Sequence, residues 1–326
     1  VNGFNYLLLI VAVLAALLFV LLAFLLAKRV RGQGLEPPDP RPAPTPIKTS
    51  APADVHPAPV QPAVEAERLP YTAWRLMTRA VANPDSAGGP LYRLRLEPED
   101  ALPQWQAGAV AHVYCGPADE ILTPGSSATA PVGDYMIGSL PDEGAINLVV
   151  RLVPANSPTD GPRSRWLCEQ LDTGQRVALL VRDDPAFLPP PDSVPLILIG
   201  NATGLAGLHA HIKARPAGTR NWLIFGDRNS ADDAVLAAEI SDWVSTGHLE
   251  RCDLVFPGES GEQRFVTDQI RDAQAPILDW ALAGGAIYVC GSRRMGDDVH
   301  ATLGELLGSD VLEAMADAGL YRRSLY

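Results

Sequence analysis

Gly200 and Gly204 lie in the run 194–207, VPLILIGNATGLAG, and are the residues of this chain best spaced to do chemistry. Glycine lets a backbone come close to a diphosphate, and the unpaired N–H groups at a helix start, with the helix dipole behind them, attract negative charge. The β-branched-rich run before the turn and the helix-compatible LHAHIKAR after it predict the strand–turn–helix start of a doubly wound nucleotide-binding sheet. The same glycines would equally serve a chain that only turns there. On this segment alone both uses stay open.

The elements that would position such a turn are legible on either side of it. From Val194 onward, PLILIG, NWLIFGD (221–227), RCDLVFPG (251–258) and AIYVCG (286–291) read as buried strands, with helices near 205–214, 232–245, 264–282 and 295–307. Alternation of this kind predicts a parallel sheet with helices on both faces. Between Tyr71 and Pro190 the pattern is short strands and turns: LYRLRLEP (91–98), AGAVAHVYCG (107–116), GDYMIGSL (133–140), AINLVVRLV (145–153) and QRVALLVRD (175–183), with one short helix at 164–171. That spacing predicts a small antiparallel barrel.

Length and charge bound the rest. The 326 residues carry a formal net charge of −12, and no basic stripe suits nucleic acid. The four cysteines, Cys115, Cys168, Cys252 and Cys290, are widely spaced and read as free thiols in a reducing compartment. His209 and His211 read as ordinary polar positions, and no spacing suggests a metal site. Residues 4–27 are almost uninterrupted apolar sequence, followed by Lys28, Arg29 and Arg31. This predicts one transmembrane helix in a bacterial-type inner membrane with the body on the cytoplasmic side. Residues 32–70 are proline-rich and predict an extended tether. The expected division is an anchor over 1–31, a linker over 32–70, a barrel over 71–190 and a nucleotide-binding domain over 191–326.

A small antiparallel barrel followed by a parallel nucleotide-binding sheet resembles the ferredoxin–NADP reductase superfamily, and within it the flavoprotein subunit of sulfite reductase and its diflavin relatives. The likeness is carried by Gly200, Ala202, Thr203, Gly204, Leu205 and Ala206, with Gly207 where the family has proline. It continues through NWLIFGDR, LVFPGESGEQRFVTDQIRD, IYVCGSRRMGDDV and the tail YRRSLY. Diflavin members carry a flavodoxin-like FMN domain before the barrel and a helical insertion within it; neither fits this sequence.

The resemblance implies FAD on the barrel, NAD(P)H as electron donor, and a partner redox protein: a haem or iron–sulfur protein, or a separate flavodoxin-like protein. The family's Arg-x-Tyr-Ser aligns with Gly133-Asp134-Tyr135-Met136, followed by Ile137, Gly138 and Ser139. Tyr135 survives, while the Arg and Ser do not. A charged hydrogen bond contributes about 1.5–3 kcal/mol, so losing that Arg implies weaker flavin binding. Gly161, Arg163 and Ser164 match the second flavin-diphosphate segment, with Arg163 or Arg165 as the substitute cation. Cys290, before Gly291, stands where the family places a cysteine near the reacting nicotinamide carbon, and Tyr326 where an aromatic shields the flavin. Ser324 and Ser292 replace acidic residues. The family's NADPH-reading positions hold Pro257-Gly258, Gln263 and Phe265; with only Arg228 and Arg264 nearby, this implies NADH or either dinucleotide. The competing expectation is a degenerate, non-catalytic member serving regulation or assembly.

Overall fold

Strands β1 (Thr72–Val81), β2 (Leu91–Pro98), β3 (Val110–Tyr114), β4 (Val132–Met136), β5 (Ile146–Arg151) and β6 (Arg176–Arg182) form one antiparallel sheet in the order β4-β3-β6-β1-β2-β5. The computed structural model describes residues 70–83, 89–125, 128–154, 160–227, 236–256 and 264–326. The sheet curls until its edge strands approach: just beyond β4, the Gly138 N–H donates to the Asn147 carbonyl of β5 at 2.8 Å. Along β5 burial alternates strictly, with Ile146, Leu148 and Val150 inward, as one wet face requires. They join Trp74, Leu94, Val113 and Val177 in the barrel core.

The second sheet is wholly parallel: β7 (Leu196–Asn201), β8 (Asn221–Gly226), β9 (Arg251–Val255), β10 (Ala286–Gly291) and β11 (Tyr321–Leu325), in the order β11-β10-β7-β8-β9. The strand order reverses between β7 and β10, and open α/β sheets bind ligands outside the carboxyl ends of strands at such a switch point. Every residue of β8 and β10 is buried, which their unbroken apolar sequence requires once helices cover both faces. Helix α1 (Leu205–Ala214) and helix α2 (Ala237–Ser245) bury Leu208, Ile212 and Ile240 on the face of Leu198, Phe225 and Cys290. Helices α3 (Val266–Asp272), α4 (Gln274–Leu282), α5 (Arg293–Leu307) and α6 (Ser309–Asp317) cover Ile199, Trp222 and Val289 on the other.

Three features differ from expectation. The helix foreseen at 264–282 is two, α3 and α4, with the break at Ala273 and Pro276 accommodated in the first turn of α4. The tail at 321–325 is a fifth parallel strand. β1 had escaped notice because its pairing with β2 shifts register between Leu76 and Thr78, which destroys simple alternation. The inner-membrane expectation is also corrected: among the described residues no helix is long and apolar enough to cross a membrane. The stretch 4–27 and the proline-rich stretch to residue 69 lie outside the described residues.

Barrel and parallel sheet are joined by the connector 183–195, which is pinned to the sheet side chain by side chain. Tyr288 Oη donates to the Leu188 carbonyl at 2.7 Å, Arg215 Nη2 to the Asp192 and Val194 carbonyls at 3.2 and 2.6 Å, and Arg322 Nη1 to the Pro185 carbonyl at 2.8 Å. Beneath it lies His211, fully buried between Phe187 and Tyr288. His209 is buried too, its Nδ1 3.0 Å from the Gly138 carbonyl of the barrel and its Nε2 2.5 Å from Glu239. Neither histidine is the ordinary polar position its sequence suggested.

Candidate functional site at the switch point

At the switch point the register sets Cys290 of β10 between Gly200 of β7 and Ser324 of β11. The turn after β7 is tight, and Ala202 has φ 51°, a left-handed conformation that costs a non-glycine residue about 1–2 kcal/mol. Such strain persists where surrounding packing imposes it. That packing is visible: a Cβ on Gly204 would stand 2.2 Å from the Cys290 carbonyl oxygen, and one on Gly200 2.7 Å from the same atom. The two glycines therefore let the turn ride on β10. Asn201 and Ser292 then lock the two strand ends together. The Ser292 N–H donates to Asn201 Oδ1 at 3.0 Å and Asn201 Nδ2 to Ser292 Oγ at 3.2 Å. Gly291, with φ 148°, has no room for a side chain, since a Cβ would meet Asn201 Oδ1 at 2.2 Å. Sequence reasoning missed this Asn–Ser clasp, although an Asn closing an apolar strand was its signal.

Tyr326 lies over the turn. Thr203 Oγ1 donates to its hydroxyl at 2.5 Å, and the Gly204 N–H also bonds to that oxygen. The residue as a whole is 52% exposed, yet burial of its phenol pushes the pKa up, with the Cys290 thiol adding to the rise. Cys290 is itself fully buried, and burial raises its thiol pKa to about 12. It is a neutral thiol, not a thiolate nucleophile.

The barrel meets this point through β4. Met136 reaches across: its Cε would be 2.7 Å from a Cβ on Gly207, and Cys290 Sγ 3.4 Å from it. Ser324 Oγ donates to Met136 Sδ at 3.5 Å. One residue back, Tyr135 turns to the opposite face and packs on the barrel core. Burial pushes its phenol pKa up, and its hydroxyl bonds the Cys115 thiol. Arg163, beyond β5 in sequence, comes to the same place: its Cδ would be 3.1 Å from a Cβ on Gly133, with Tyr135 Cε2 at 2.8 Å. The space that a side chain at 133 would need is filled by the Tyr135 ring and the Arg163 stem.

Other residues singled out from sequence stand apart. Ser139 is fully buried, its hydroxyl donating to the Ala145 carbonyl at 2.7 Å and accepting the Asn147 N–H at 2.9 Å. Ser164 is buried likewise; its hydroxyl accepts the Val153 N–H and donates to the Gly161 carbonyl. Arg264 is paired with Asp272 and Gln269 at the start of α3. Arg228, Pro257, Gly258 and Gln263 lie outside the described residues. Ser139→Ala breaks two buried hydrogen bonds and leaves a carbonyl and an N–H unpaired, at about 1–3 kcal/mol for each stranded group. The expected outcome is a lower thermal midpoint, measured by unfolding beside the parent.

A flavin dinucleotide would be held between β4 and the switch point. The Arg163 stem against Gly133 and Tyr135 suits a diphosphate, since a cation stands where the residue at 133 brings none. Tyr135 packs on the barrel core with its hydroxyl on Cys115 and would have to leave that place to offer its ring. The edge towards Cys290 is taken by Met136, the far end of a flexible side chain. The residues therefore fit the group only once Met136 and Tyr135 move.

No family model matches the chain. Among curated proteins it is 32% identical over 181 residues to the sulfite reductase (NADPH) flavoprotein alpha-component of Vibrio vulnificus, a match covering 51% of this chain and 29% of that protein. The same component of Mannheimia succiniciproducens is 30% identical over 201 residues, 59% of this chain and 34% of that protein. That of Neisseria meningitidis serogroup B is 29% identical over 216 residues, 62% of this chain and 35% of that protein. The chain thus spans about a third of the length of these relatives. An antiparallel six-stranded sheet, a parallel five-stranded sheet with its switch point at Gly200 and Cys290, and these matches agree: the chain is a relative of the sulfite reductase flavoprotein component, consistent with the ferredoxin–NADP reductase resemblance of its sequence.

Proposed function

We propose that the body from Arg68 to Tyr326 is an NAD(P)H-dependent flavin oxidoreductase module that passes electrons through FAD to a partner redox protein. The observation that carries this is the meeting of β4, bearing Tyr135 and Met136, with the switch point at Gly200, Gly204 and Cys290. Bound there, a flavin supplies the conversion between a two-electron donor and one-electron acceptors. Arg163, beside Gly133, would bring a counter-charge for phosphate, and Tyr135 would offer a ring face on leaving the barrel core. Thr203 and the Gly204 N–H, now engaged by Tyr326, would face a pyridine nucleotide once that ring turns aside. Cys290, uncharged and buried, offers a soft, water-free wall, which favours transfer between stacked rings over leakage to solvent.

The test is an absorption spectrum of the purified chain with and without added FAD. Flavin bands that shift on binding, followed by NAD(P)H oxidation with an artificial acceptor, are expected. Protein that is colourless and leaves added FAD unperturbed would end the proposal. NADH and NADPH are expected to work within about tenfold of each other, a ratio worth about 1.4 kcal/mol. Arg264 is tied to Asp272 and Phe265 is 58% exposed, so neither is set to read a 2′-phosphate. Comparing kcat/KM for the two donors checks this, and a hundredfold preference for NADPH would contradict it.

A second proposal, a reductase-fold subunit without turnover, is favoured by one observation: Met136 stands where a hydroxyl would assist the reaction, and fills the space beside Cys290. The spectrum separates the two.

A further inference from the structure

At the switch point β4 packs against the parallel sheet and α1, and Met136 reaches from one to the other. Met136 is partly buried; its thioether accepts from Ser324 Oγ, and its terminal methyl rests where any Cβ on residue 207 would have to go. Gly207 and Met136 are thus a matched pair, the missing side chain on α1 making room for the long one from the barrel. The same Cβ position lies 3.4 Å from Cys290 Sγ, so thioether, glycine and thiol form one stack. Methionine is unbranched and can leave such a position by rotation about its own bonds, without backbone movement. The layer it vacates is one atom thick, roughly 3.5–4 Å between contacting carbons, the thickness of a flat heteroaromatic ring.

We propose that Met136 is a gate between β4 and the switch point: seated on Gly207 and tied to Ser324, it covers Cys290, and a flat ring reaches the strand ends only when it swings away. The gate shares its location with the proposed function but needs no flavin for its test.

Alkylation of Cys290 by iodoacetamide, followed by peptide mapping of the native chain, reports directly on closure. Tryptic cleavage at Arg271 and Arg293 leaves Cys290 as the only cysteine in its peptide. In the unaltered chain Cys290 should label at least tenfold more slowly than the partly exposed Cys252. Met136→Ala should raise the Cys290 rate at least tenfold. Ser324→Ala, which removes the tie and leaves packing intact, should raise it severalfold, and Met136→Leu, which keeps the volume, should leave it slow. Cys290 labelling as fast as Cys252 in the unaltered chain, or an unchanged rate in both Met136→Ala and Ser324→Ala, would overturn the gate. Should Met136→Ala prove poorly folded by circular dichroism, Ser324→Ala and Met136→Leu decide alone. A chain that fails to take up FAD but opens Cys290 in these variants would refute the oxidoreductase proposal and leave the gate standing.

Discussion

Gly204→Ala is expected to lower the thermal midpoint of the protein by about 10 °C. The new Cβ would stand 2.2 Å from the carbonyl oxygen and 2.5 Å from the carbonyl carbon of Cys290, and 2.8 Å from the Gly291 Cα. All three are backbone atoms of a central strand, so no rotamer change relieves the clash. Gly204 has φ −58°, an ordinary helical value, so the cost is steric and owes nothing to left-handed strain. Forcing β7 and β10 apart costs about 1–3 kcal/mol or more, as overpacking does. At about 2–4 °C per kcal/mol for a body of this size, the midpoint falls accordingly. The control is Gly304→Ala within α5, where the nearest atom to the added Cβ, Ser309 Oγ, is at 3.5 Å. That change should stabilise by up to about 1 kcal/mol through helix propensity. Thermal unfolding of the two variants beside the parent measures both. A Gly204→Ala midpoint within 2 °C of the parent, about 1 kcal/mol, would show that the turn does not press on Cys290 as described.

The second large effect is acid sensitivity at His211. Its ring lies fully buried between Phe187 and Tyr288 at 5.0 and 5.2 Å, with the Phe187 carbonyl its near polar neighbour and no well-formed hydrogen bond among the described residues. Burial drives its pKa from the ordinary 6.5 down to about 3; the nearby Phe187 carbonyl offsets this only in part, and the Arg215 and Arg322 guanidinium groups push it further down. The folded pKa is depressed, so the unfolded chain takes up the proton first as pH falls through 6.5. Stability is full above that value and is lost progressively down to about 3. At pH 5 the loss amounts to about 2 kcal/mol, or about 4–8 °C. His211→Leu removes the titrating group and should flatten the fall between pH 7 and 5, whatever it does to stability at pH 7. Parallel melting curves at the two pH values measure the difference, and an equal acid slope in variant and parent would contradict the assignment.

Much of the architecture could be read from the chain, because parallel strands buried on both faces leave an unmistakable apolar signature. Leu196–Asn201, Asn221–Gly226 and Ala286–Gly291 each appear where VPLILIG, NWLIFGD and AIYVCG place them. The helix after Gly204 likewise follows LHAHIKAR. The roles of the glycines were less visible. Gly200 and Gly204 were compatible with a close ligand or a plain turn, and the structure presses both against the Cys290 carbonyl, a contact between strands far apart in sequence. Arg163 beside Gly133, and Met136 upon Gly207, are tertiary pairings that no local spacing encodes. Ser139 and Ser164 were legible only as residue types, since small hydroxyl residues beside a motif tie their own loops, as these two do, as readily as they face a ligand.

The pinned connector bears on how the molecule comes apart. Because Tyr288, Arg215 and Arg322 hold its carbonyls while His211 lies beneath it, lifting the connector off the sheet breaks these hydrogen bonds and uncovers a buried imidazole. The strap thus resists relative movement of the two halves. A ligand between them is then admitted most cheaply by side-chain rotation, with the connector left in place.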